Sequence, residues 1–247
     1  MSAREEEEFL CVSCTSPAKA LVKKTDGNFI KLLECPSCGA LVDRYVECER
    51  SIVFMDMILQ DITVYRHILF NADNFASQFY IKLAVSLMLS EGYVRWNNLA
   101  QNLGAGNGIM NNEVYMYIMC FMAFVELGMF GLVILGYSCL KHSCPKKLPV
   151  FNAVLLGQCG RLANLAAIIW YPGSSITFQV LMLVFVFVSS VQSTRAALCL
   201  GKIESFLLMT VAFSSSMISC HKLQPILLDS YHSYVRSHMY TKQQFVS

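Results

Sequence analysis

Apolar residues dominate the chain beyond residue 72, in long runs that are separated by short polar segments. A run of about 20 residues is needed to cross the hydrocarbon core of a bilayer. Four runs reach or approach that length, and they are 117–138, 150–171, 176–195 and 203–220. A fifth run, 75–96, is weaker because it contains Gln78, Lys82 and Glu91. The pattern therefore predicts a membrane protein, with an all-α bundle of four to five transmembrane helices over residues 72–220.

The first part of the chain has shorter apolar runs and more charge than the rest. Runs 21–24 and 29–33 are separated by Asp26-Gly27, a turn signal that is typical of a β-hairpin. Residues 41–46 are suited to add a third strand. A β ribbon of this size has almost no hydrophobic core, so it needs another source of folding free energy.

Four of the eleven cysteines are placed to supply that free energy. Cys11, Cys14, Cys35 and Cys38 form the pattern CxxC-x20-CxxC, which indicates a four-cysteine zinc site. Four thiolates fill the tetrahedral shell of zinc and leave no position for water, so such a site is structural. The alternatives are a pair of disulfides, which needs an oxidising compartment, and a redox motif, which does not explain two matched pairs.

Residues 50–69 are predicted to form an amphipathic helix directly after the ribbon. Polar side chains recur at helical spacing along one stripe. That stripe contains Asp56, Gln60, Thr63 and His67, and the opposite face contains Phe54, Met55, Ile58, Leu59, Ile62, Tyr65 and Leu69. Such a helix either covers the ribbon or the spans, or lies in the membrane interface. The periodicity favours neither position.

Glu126 and Arg161 are charges that lie deep in apolar runs. At a rise of about 1.5 Å per residue, both are at a similar depth from the loop 139–149. Because an unpaired charge inside a bilayer is costly, we expect the two side chains to form an ion pair near its centre. The pair is either purely structural or part of a polar path for a lipid headgroup. Small residues would let the two helices approach closely; they are Gly128, Gly131, Gly157, Gly160 and Ala163.

The basic residues predict the orientation in the membrane. Loop 139–149 and the turn between Arg195 and Lys202 are basic and are expected in the cytosol, whereas 172–175 is uncharged and suits the lumen. A ribbon of reduced cysteines also belongs in the cytosol, which favours five spans. We expect a disordered acidic tail at 1–10 and a polar tail at 221–247. The net charge of +2 gives no reason to expect a nucleic-acid partner.

Catalytic motifs are missing from the sequence. It contains no GxSxG or HExxH motif, and the residue five positions after His67 is Ala72 rather than the aspartate of an HxxxxD motif. His221, His232 and His238 lack metal-ligand spacing. We therefore expect a protein that is not an enzyme, although a membrane enzyme with dispersed catalytic groups is a third hypothesis beside the two given below.

Several motifs between residues 11 and 71 resemble the Arv family of endoplasmic-reticulum membrane proteins. They are the paired cysteines, the run Val42-Asp43-Arg44-Tyr45-Val46-Glu47-Cys48-Glu49, Asp56, and the run Tyr65-Arg66-His67-Ile68-Leu69-Phe70-Asn71. The resemblance implies that 11–71 is the family's homology domain, a zinc ribbon plus helix with the four cysteines as ligands. It also implies that the signature closing the domain consists of Tyr65, Arg66, His67 and Asn71.

The same resemblance implies the functions to be expected. Members of the family are implicated in the distribution of sterols and sphingolipids and in the synthesis of glycosylphosphatidylinositol anchors. The first hypothesis is therefore a multi-pass protein of the endoplasmic reticulum that binds or moves a sterol or glycolipid. The second is an adaptor that does not transport lipid but recruits or stabilises a membrane glycosyltransferase complex of anchor synthesis.

Overall fold

The computed structural model describes residues 9–25, 29–72, 77–103, 113–141, 148–170 and 176–244. The N-terminal part, here called the module, comprises residues 9–71. It contains the strands β1 (Phe9–Leu10), β2 (Pro17–Ala18), β3 (Val22–Thr25) and β4 (Phe29–Leu32), then a 3-10 helix (Arg44–Glu47), α1 (Arg50–Ile58), α2 (Ile62–Arg66) and a π-helical turn (His67–Asn71). The helical bundle that follows contains α3 (Ser77–Leu103), α4 (Glu113–Lys141), α5 (Leu148–Gln158), a 3-10 turn (Cys159–Leu162), α6 (Ala163–Trp170), α7 (Ile176–Leu198) and α8 (Lys202–Gln244).

The β-structure of the module is two short antiparallel hairpins. β3 pairs with β4 so that Val22 lies opposite Leu32, as the sequence predicts, while the predicted turn at Asp26-Gly27 lies outside the described residues. β1 pairs with β2. Phe9 and Leu10, which are predicted to lie in the disordered tail, instead form β1, and the backbone of Leu10 also bonds to the side chain of Asn71.

The predicted third strand at 41–46 is wrong. Leu41 forms an isolated bridge to Glu34 and the backbone of Val42 bonds to Leu33 and Val12, but residues 44–47 form a 3-10 helix. The reason is local: the side chain of Asp43 accepts a hydrogen bond from the backbone N–H of Tyr45 and caps that helix. Such capping diverts the chain from strand pairing.

The predicted continuous helix over 50–69 is also wrong, since it breaks at Gln60. Gln60 has a φ of +63°, in the left-handed region, and ends α1. Asp61 then caps α2 by accepting a hydrogen bond from the backbone N–H of Thr63 at 3.0 Å. The break rotates α2 relative to α1, so Tyr65 is buried while Phe54 stays exposed, although both belong to the predicted apolar face.

In the bundle, α3 packs against α4, α4 against α8, and α5 against α7. The largest apolar cluster joins four of these helices, and its buried members include Phe130, Ile134, Val154, Leu198 and Met209. By length and composition, three helices within the described residues are suited to cross a membrane, and they are Glu113–Lys141, Ile176–Leu198 and Lys202–Ser233. The count of four to five spans therefore stays a prediction, with three of them supported.

The apolar run 150–171 does not form one helix. The 3-10 turn Cys159–Leu162 divides it into α5 and α6. The segment predicted as a polar tail from residue 221 begins inside α8, which continues to Gln244 and includes Pro225.

The glycines are predicted to bring α4 close to α5. In the structure, α5 instead packs closely on α7, and α3 packs closely on α4. A Cβ added to Gly157 would lie 2.7 Å from the Cα of Ser190, whereas one added to Gly128 or Gly131 would have no neighbour within 4 Å. The glycine in α5 therefore permits close packing on α7. Gly92 likewise permits close packing of α3 on α4, since an added Cβ would lie 2.9 Å from the Cα of Cys120.

Candidate metal centre and polar cleft

The two CxxC motifs form turns with the same hydrogen bonds. In the first, the N–H of Thr15 donates to the carbonyl of Cys11, and in the second the N–H of Gly39 donates to the carbonyl of Cys35, each at 2.9 Å. Thr15 and Gly39 both have positive φ, of 65° and 71°. Each turn thus directs two sulfurs to one side, as a metal-binding knuckle requires.

The four sulfurs that the spacing singles out come together. The Sγ atoms of Cys11, Cys14, Cys35 and Cys38 all lie within 4.8 Å of one another. Cys11 and Cys38 lie 3.8 Å apart, and Cys14 and Cys35 lie 3.6 Å apart. Metal–sulfur bonds of about 2.3 Å in a tetrahedral shell place sulfurs roughly 3.8 Å apart. The donor set and its spacing therefore fit one four-coordinate metal ion.

Hydrogen bonding prepares part of this site for a cation. The pKa of the Cys14 thiol is lowered to about 6, first by its hydrogen bond with the Ser16 hydroxyl and then by the Ser16 backbone. Backbone N–H groups of Ser37 and Cys38 lower the pKa of Cys35, while burial raises that of Cys11. Because the thiolate is the metal-binding form, a bound ion must displace a proton from the more buried cysteine.

Arg66, from the family signature, holds the first knuckle in place. Its Nη1 atom donates to the carbonyl oxygens of Val12 and Ser13, each at 2.8 Å. These two residues lie between the cysteines of the first motif. The guanidinium therefore binds the backbone of the knuckle and not its sulfur atoms.

His67 and Asn71, also from the signature, converge on the carboxylate of Asp43. This carboxylate is buried, and its Oδ2 atom lies 2.7 Å from His67 Nδ1 and accepts from Asn71 Nδ2 at 2.7 Å. The wide π-helical turn brings side chains four residues apart onto one side. Burial would raise the pKa of Asp43, but the hydrogen bonds from His67 and Asn71 lower it below its ordinary value.

Tyr65, the remaining signature residue, joins the module to the bundle. Its hydroxyl lies 2.9 Å from Ser189 Oγ of α7 and donates to Gln60 Oε1 at 2.9 Å. A second polar contact runs from Gln192 Nε2 of α7 to the carbonyl of Gln60, at 3.1 Å. Apolar contacts with Leu156 and Ala196 complete this interface. The four signature residues therefore contact the first knuckle, the Asp43 carboxylate and α7.

Glu126 and Arg161 lie together in the bundle, where the sequence places them. Arg161 Nη2 is 2.7 Å from Glu126 Oε1. Arg95 contacts the other oxygen of the same carboxylate, and Glu91 lies near both guanidinium groups, 3.2 Å from Arg95 and 3.6 Å from Arg161. Two acids and two bases from α3, α4 and the 3-10 turn therefore form one balanced cluster, here called the charge cluster.

Arg95 and Glu91 are the residues that the sequence reasoning missed. They are spaced by four residues in α3, the spacing at which opposite charges pair on a helix. That spacing was available as a signal. Their contact with Glu126, however, depends on how α3 is rotated against α4, which spacing does not fix.

A cleft of about 1000 Å³ opens beside the charge cluster. Its polar lining comes from all four charged side chains and from Asn97, Asn98, Gln101, Asn164 and Gln179. Its apolar lining includes Ile168, Phe178, Met182, Leu183, Val186, Phe213 and Met217. α7 supplies one wall of the cleft with residues 178–186 and contacts the module with Ser189 and Gln192. The lining of the cleft therefore combines charged and amide side chains with many apolar ones.

Comparison with known proteins agrees with the resemblance read from the motifs. The family model described as the Arv1-like family matches residues 10–194. The chain is similar to Protein ARV1 of Homo sapiens, with 29% identity over 209 residues, covering 81% of this chain and 76% of that protein. It is also similar to Protein ARV 2 of Arabidopsis thaliana, with 28% identity over 233 residues, covering 87% of this chain and 96% of that protein.

Another relative is similar over a shorter segment and at higher identity than these two. Protein ARV 1 of Arabidopsis thaliana is 46% identical over 68 residues, which is 27% of each chain. The names of these relatives state no catalytic activity. No solved structure matches the chain.

Proposed function

Because the chain belongs to the Arv1-like family, we propose that it is a lipid-handling protein of the endoplasmic-reticulum membrane, which binds and moves a sterol or a glycolipid intermediate. The observation that carries this proposal is the cleft, which apolar side chains and the charge cluster line together inside a helical bundle of membrane-spanning character. Ligand pockets commonly combine an apolar lining with a few polar groups that fix orientation.

The lining of the cleft favours an amphiphile with a small polar end. Glu126 and Arg161 already neutralise each other, so a ligand of high net charge gains little there. A hydroxyl or a zwitterionic headgroup can exchange hydrogen bonds with the amides of Asn97, Asn98 and Gln101, while its apolar body contacts Phe178 and Met182. A sterol has this shape and polarity.

We infer that the metal is zinc and that its role is structural. Four thiolates are the ligand set that zinc takes in closed structural sites, in which no position remains for a reacting water. Bound zinc would stabilise the knuckles and, through Arg66 and Tyr65, the position of the module on α7.

We also propose that the module faces the cytosol. It docks near the C-terminal end of α7, and the side chain of Lys141 at the end of α4 pairs with Glu204 at the start of α8. Lys141, Arg195 and Lys202 therefore belong to one end of the bundle, which the positive-inside rule assigns to the cytosol. Reduced thiols are stable in that compartment.

Sterol transfer by purified protein tests the lipid-handling proposal. The full-length chain is reconstituted in vesicles that contain a fluorescent sterol, and transfer to acceptor vesicles is followed over time. We expect transfer faster than in protein-free vesicles. Met182→Trp, which fills the cleft, should reduce it several-fold, whereas Leu181→Trp should not, because Leu181 is 64% exposed and lies outside the lining.

The other results would overturn the proposal. Transfer at the protein-free rate, with correctly folded protein that co-purifies with a glycosyltransferase complex, would favour the adaptor hypothesis. Equal transfer by the Met182→Trp and Leu181→Trp variants would show that lipid does not move through the cleft. Size-exclusion chromatography of each variant confirms that the folded protein is being compared.

A further inference from the structure

The turn between α1 and α2 carries a cluster of exposed apolar side chains. Ile52, Phe54, Met55, Ile58 and Leu59 are between 42% and 72% exposed, and Leu59 is the most exposed of them. The remaining apolar residues of this segment, Val53 and Met57, pack on the module core. An exposed apolar patch of this kind marks a surface that contacts another apolar phase.

The contacts of this turn with α7 place it beside the C-terminal part of a membrane-spanning helix. Gln60, next to Leu59, accepts from Gln192, and Tyr65 contacts Ser189. These two α7 residues lie six and nine positions before Leu198, where α7 ends. At a rise of 1.5 Å per residue they are about 9 to 14 Å inside that end. Val188, at the same level of α7, is itself an exposed apolar residue, so α7 also presents an apolar surface at this level.

The backbone of the turn has internal partners for its polar groups. The N–H groups of Leu59, Gln60 and Asp61 donate to the carbonyls of Met55, Met57 and Asp56, at 2.9, 3.2 and 3.1 Å. The carbonyl of Gln60 accepts from Gln192 Nε2. Irregular backbone is tolerated at membrane depth only where its polar groups are satisfied by protein, and this turn meets that condition.

Charge is distributed along α1 in the way that insertion requires. Glu49, Arg50 and Ser51 are exposed at its N-terminal end, whereas Ile58 and Leu59 lie at its C-terminal end. The acids nearest to the turn are paired, since Arg44 Nη2 lies 2.7 Å from Asp61 and 3.4 Å from Asp56. The exposed charges of α1 therefore lie at the end away from the turn, where insertion of the turn would leave them nearest to water.

We propose that the α1–α2 turn, residues 52–60, is embedded among the lipid chains of the leaflet that faces the module, with Leu59 deepest. The occupant of the apolar patch is therefore the bilayer and not a protein partner. The module is held to the membrane by this insertion as well as by its contact with α7.

Tryptophan quenching in vesicles tests the insertion. The chain has two tryptophans, so Trp96→Phe and Trp170→Phe provide a background without them. Leu59→Trp and Lys31→Trp are then placed separately in that background, and each full-length protein is reconstituted in phosphatidylcholine brominated on its acyl chains. Lys31 is exposed on β4 of the same module and serves as the matched control.

We expect the brominated lipid to quench Leu59→Trp several-fold more than Lys31→Trp, and aqueous iodide to show the reverse order. Equal quenching by brominated lipid would overturn the proposal, since Leu59 would then lie outside the bilayer. Protection of Leu59→Trp from both quenchers would also overturn it, because a second copy of the chain would then cover the patch. Equal metal content in the two proteins confirms that both modules are folded.

Discussion

The module and the bundle satisfy their polar groups in different ways. In the module, buried polar groups are bound by residues close in sequence or by the closing signature, as in the Asp43 cap, and four thiols are placed for a metal. In the bundle, the charged groups of the cluster come from helices that are distant in sequence and neutralise one another beside a cleft. α7 belongs to both regions, since it contacts Tyr65 and lines the cleft.

This difference bears on what each region can do. A centre closed by four thiolates gives rigidity and has no open position for a ligand. A balanced cluster beside an apolar cleft leaves polar atoms facing a space that a lipid can enter. We therefore assign metal-dependent stability to the module and the binding of a lipid ligand to the bundle, and each substitution below changes one of these two regions.

The largest effect should follow from removing a metal ligand. Cys35→Ser leaves three thiolates, and because the apolar core of the module is small, the module should lose both its metal and its protection from proteolysis. Elemental analysis should fall from one zinc per chain towards none. Cys48→Ser is the control, since Cys48 lies outside the cluster of four. Full zinc content in Cys35→Ser would contradict the assignment.

The second effect tests the charge cluster in the bundle. Glu126→Gln leaves Arg95 and Arg161 with only Glu91 to neutralise them, and breaking a buried ion pair in this way costs about 3–5 kcal/mol. Thermal unfolding in detergent should shift accordingly, with no shift for the exposed Glu113→Gln. An unchanged midpoint for Glu126→Gln would show that the cluster does not stabilise the bundle.

A charge swap sharpens the same test. With Glu126 and Arg161 as an isolated pair, Glu126→Arg combined with Arg161→Glu would restore stability. Arg95 also contacts Glu126, so the guanidinium introduced at position 126 would face a like charge. We expect only partial recovery relative to Glu126→Arg alone. Full recovery would mean that Arg95 lies outside the cluster.

The third effect concerns Asp43 and its pH dependence. Hydrogen bonds hold the pKa of Asp43 below its ordinary value, so its contribution to stability is fully present above about pH 4 and is lost as the pH falls through the lowered value. At neutral pH, Asp43→Asn should destabilise the module by about 1–3 kcal/mol. The difference between the two proteins should shrink on acidification. A difference that stays constant down to pH 2, measured against Glu49→Gln as control, would contradict this account.

The fourth effect concerns support of the knuckle by Arg66. Arg66→Met removes both hydrogen bonds to the first knuckle while the four sulfurs stay, so zinc affinity should fall about tenfold, as for other groups that support metal ligands. Competition with a zinc chelator measures the change. The exposed Arg50→Met should bind zinc as the original chain does. Equal zinc affinities of the two variants would show that Arg66 does not support the metal site. The signature would then serve only to dock the module on α7.

The smallest effect compares the two knuckles. Thr15 adopts a φ of 65°, at which a β-branched residue is strained and glycine is not. Thr15→Gly should therefore be neutral or should stabilise the module, whereas Gly39→Thr should destabilise it by about 1–2 kcal/mol. Thermal unfolding of the zinc-bound protein measures both. Destabilisation by Thr15→Gly larger than that by Gly39→Thr would show that the threonine hydroxyl, which donates to the carbonyl of Cys14, matters more than the backbone.

The sequence predicts the module better than the bundle, for a physical reason. Two CxxC motifs determine the local turns by themselves, and the hairpin between them follows from apolar runs and a turn signal. The helix over 50–69 is predicted as continuous because periodicity does not detect the left-handed backbone at Gln60, although Asp61 with Thr63 is a capping signal.

In the bundle, composition finds the long apolar helices but not their partners. The pairing of Glu126 with Arg161 follows from equal depth in neighbouring helices, whereas the contact of Arg95 depends on helix rotation. The close approach of Gly157 to Ser190 likewise depends on which helices are neighbours, and glycine spacing alone points to α4 instead of α7. Lipid specificity is not a property of any single motif.

The central claim is that the cleft holds a lipid. The most direct test is mass spectrometry of the lipids that co-purify with the full-length protein. The account predicts a bound sterol or glycolipid at about one molecule per chain in the original chain and in Leu181→Trp, and a large loss of it in Met182→Trp. An equal amount of the same lipid in all three proteins, or none in any of them, would contradict the account.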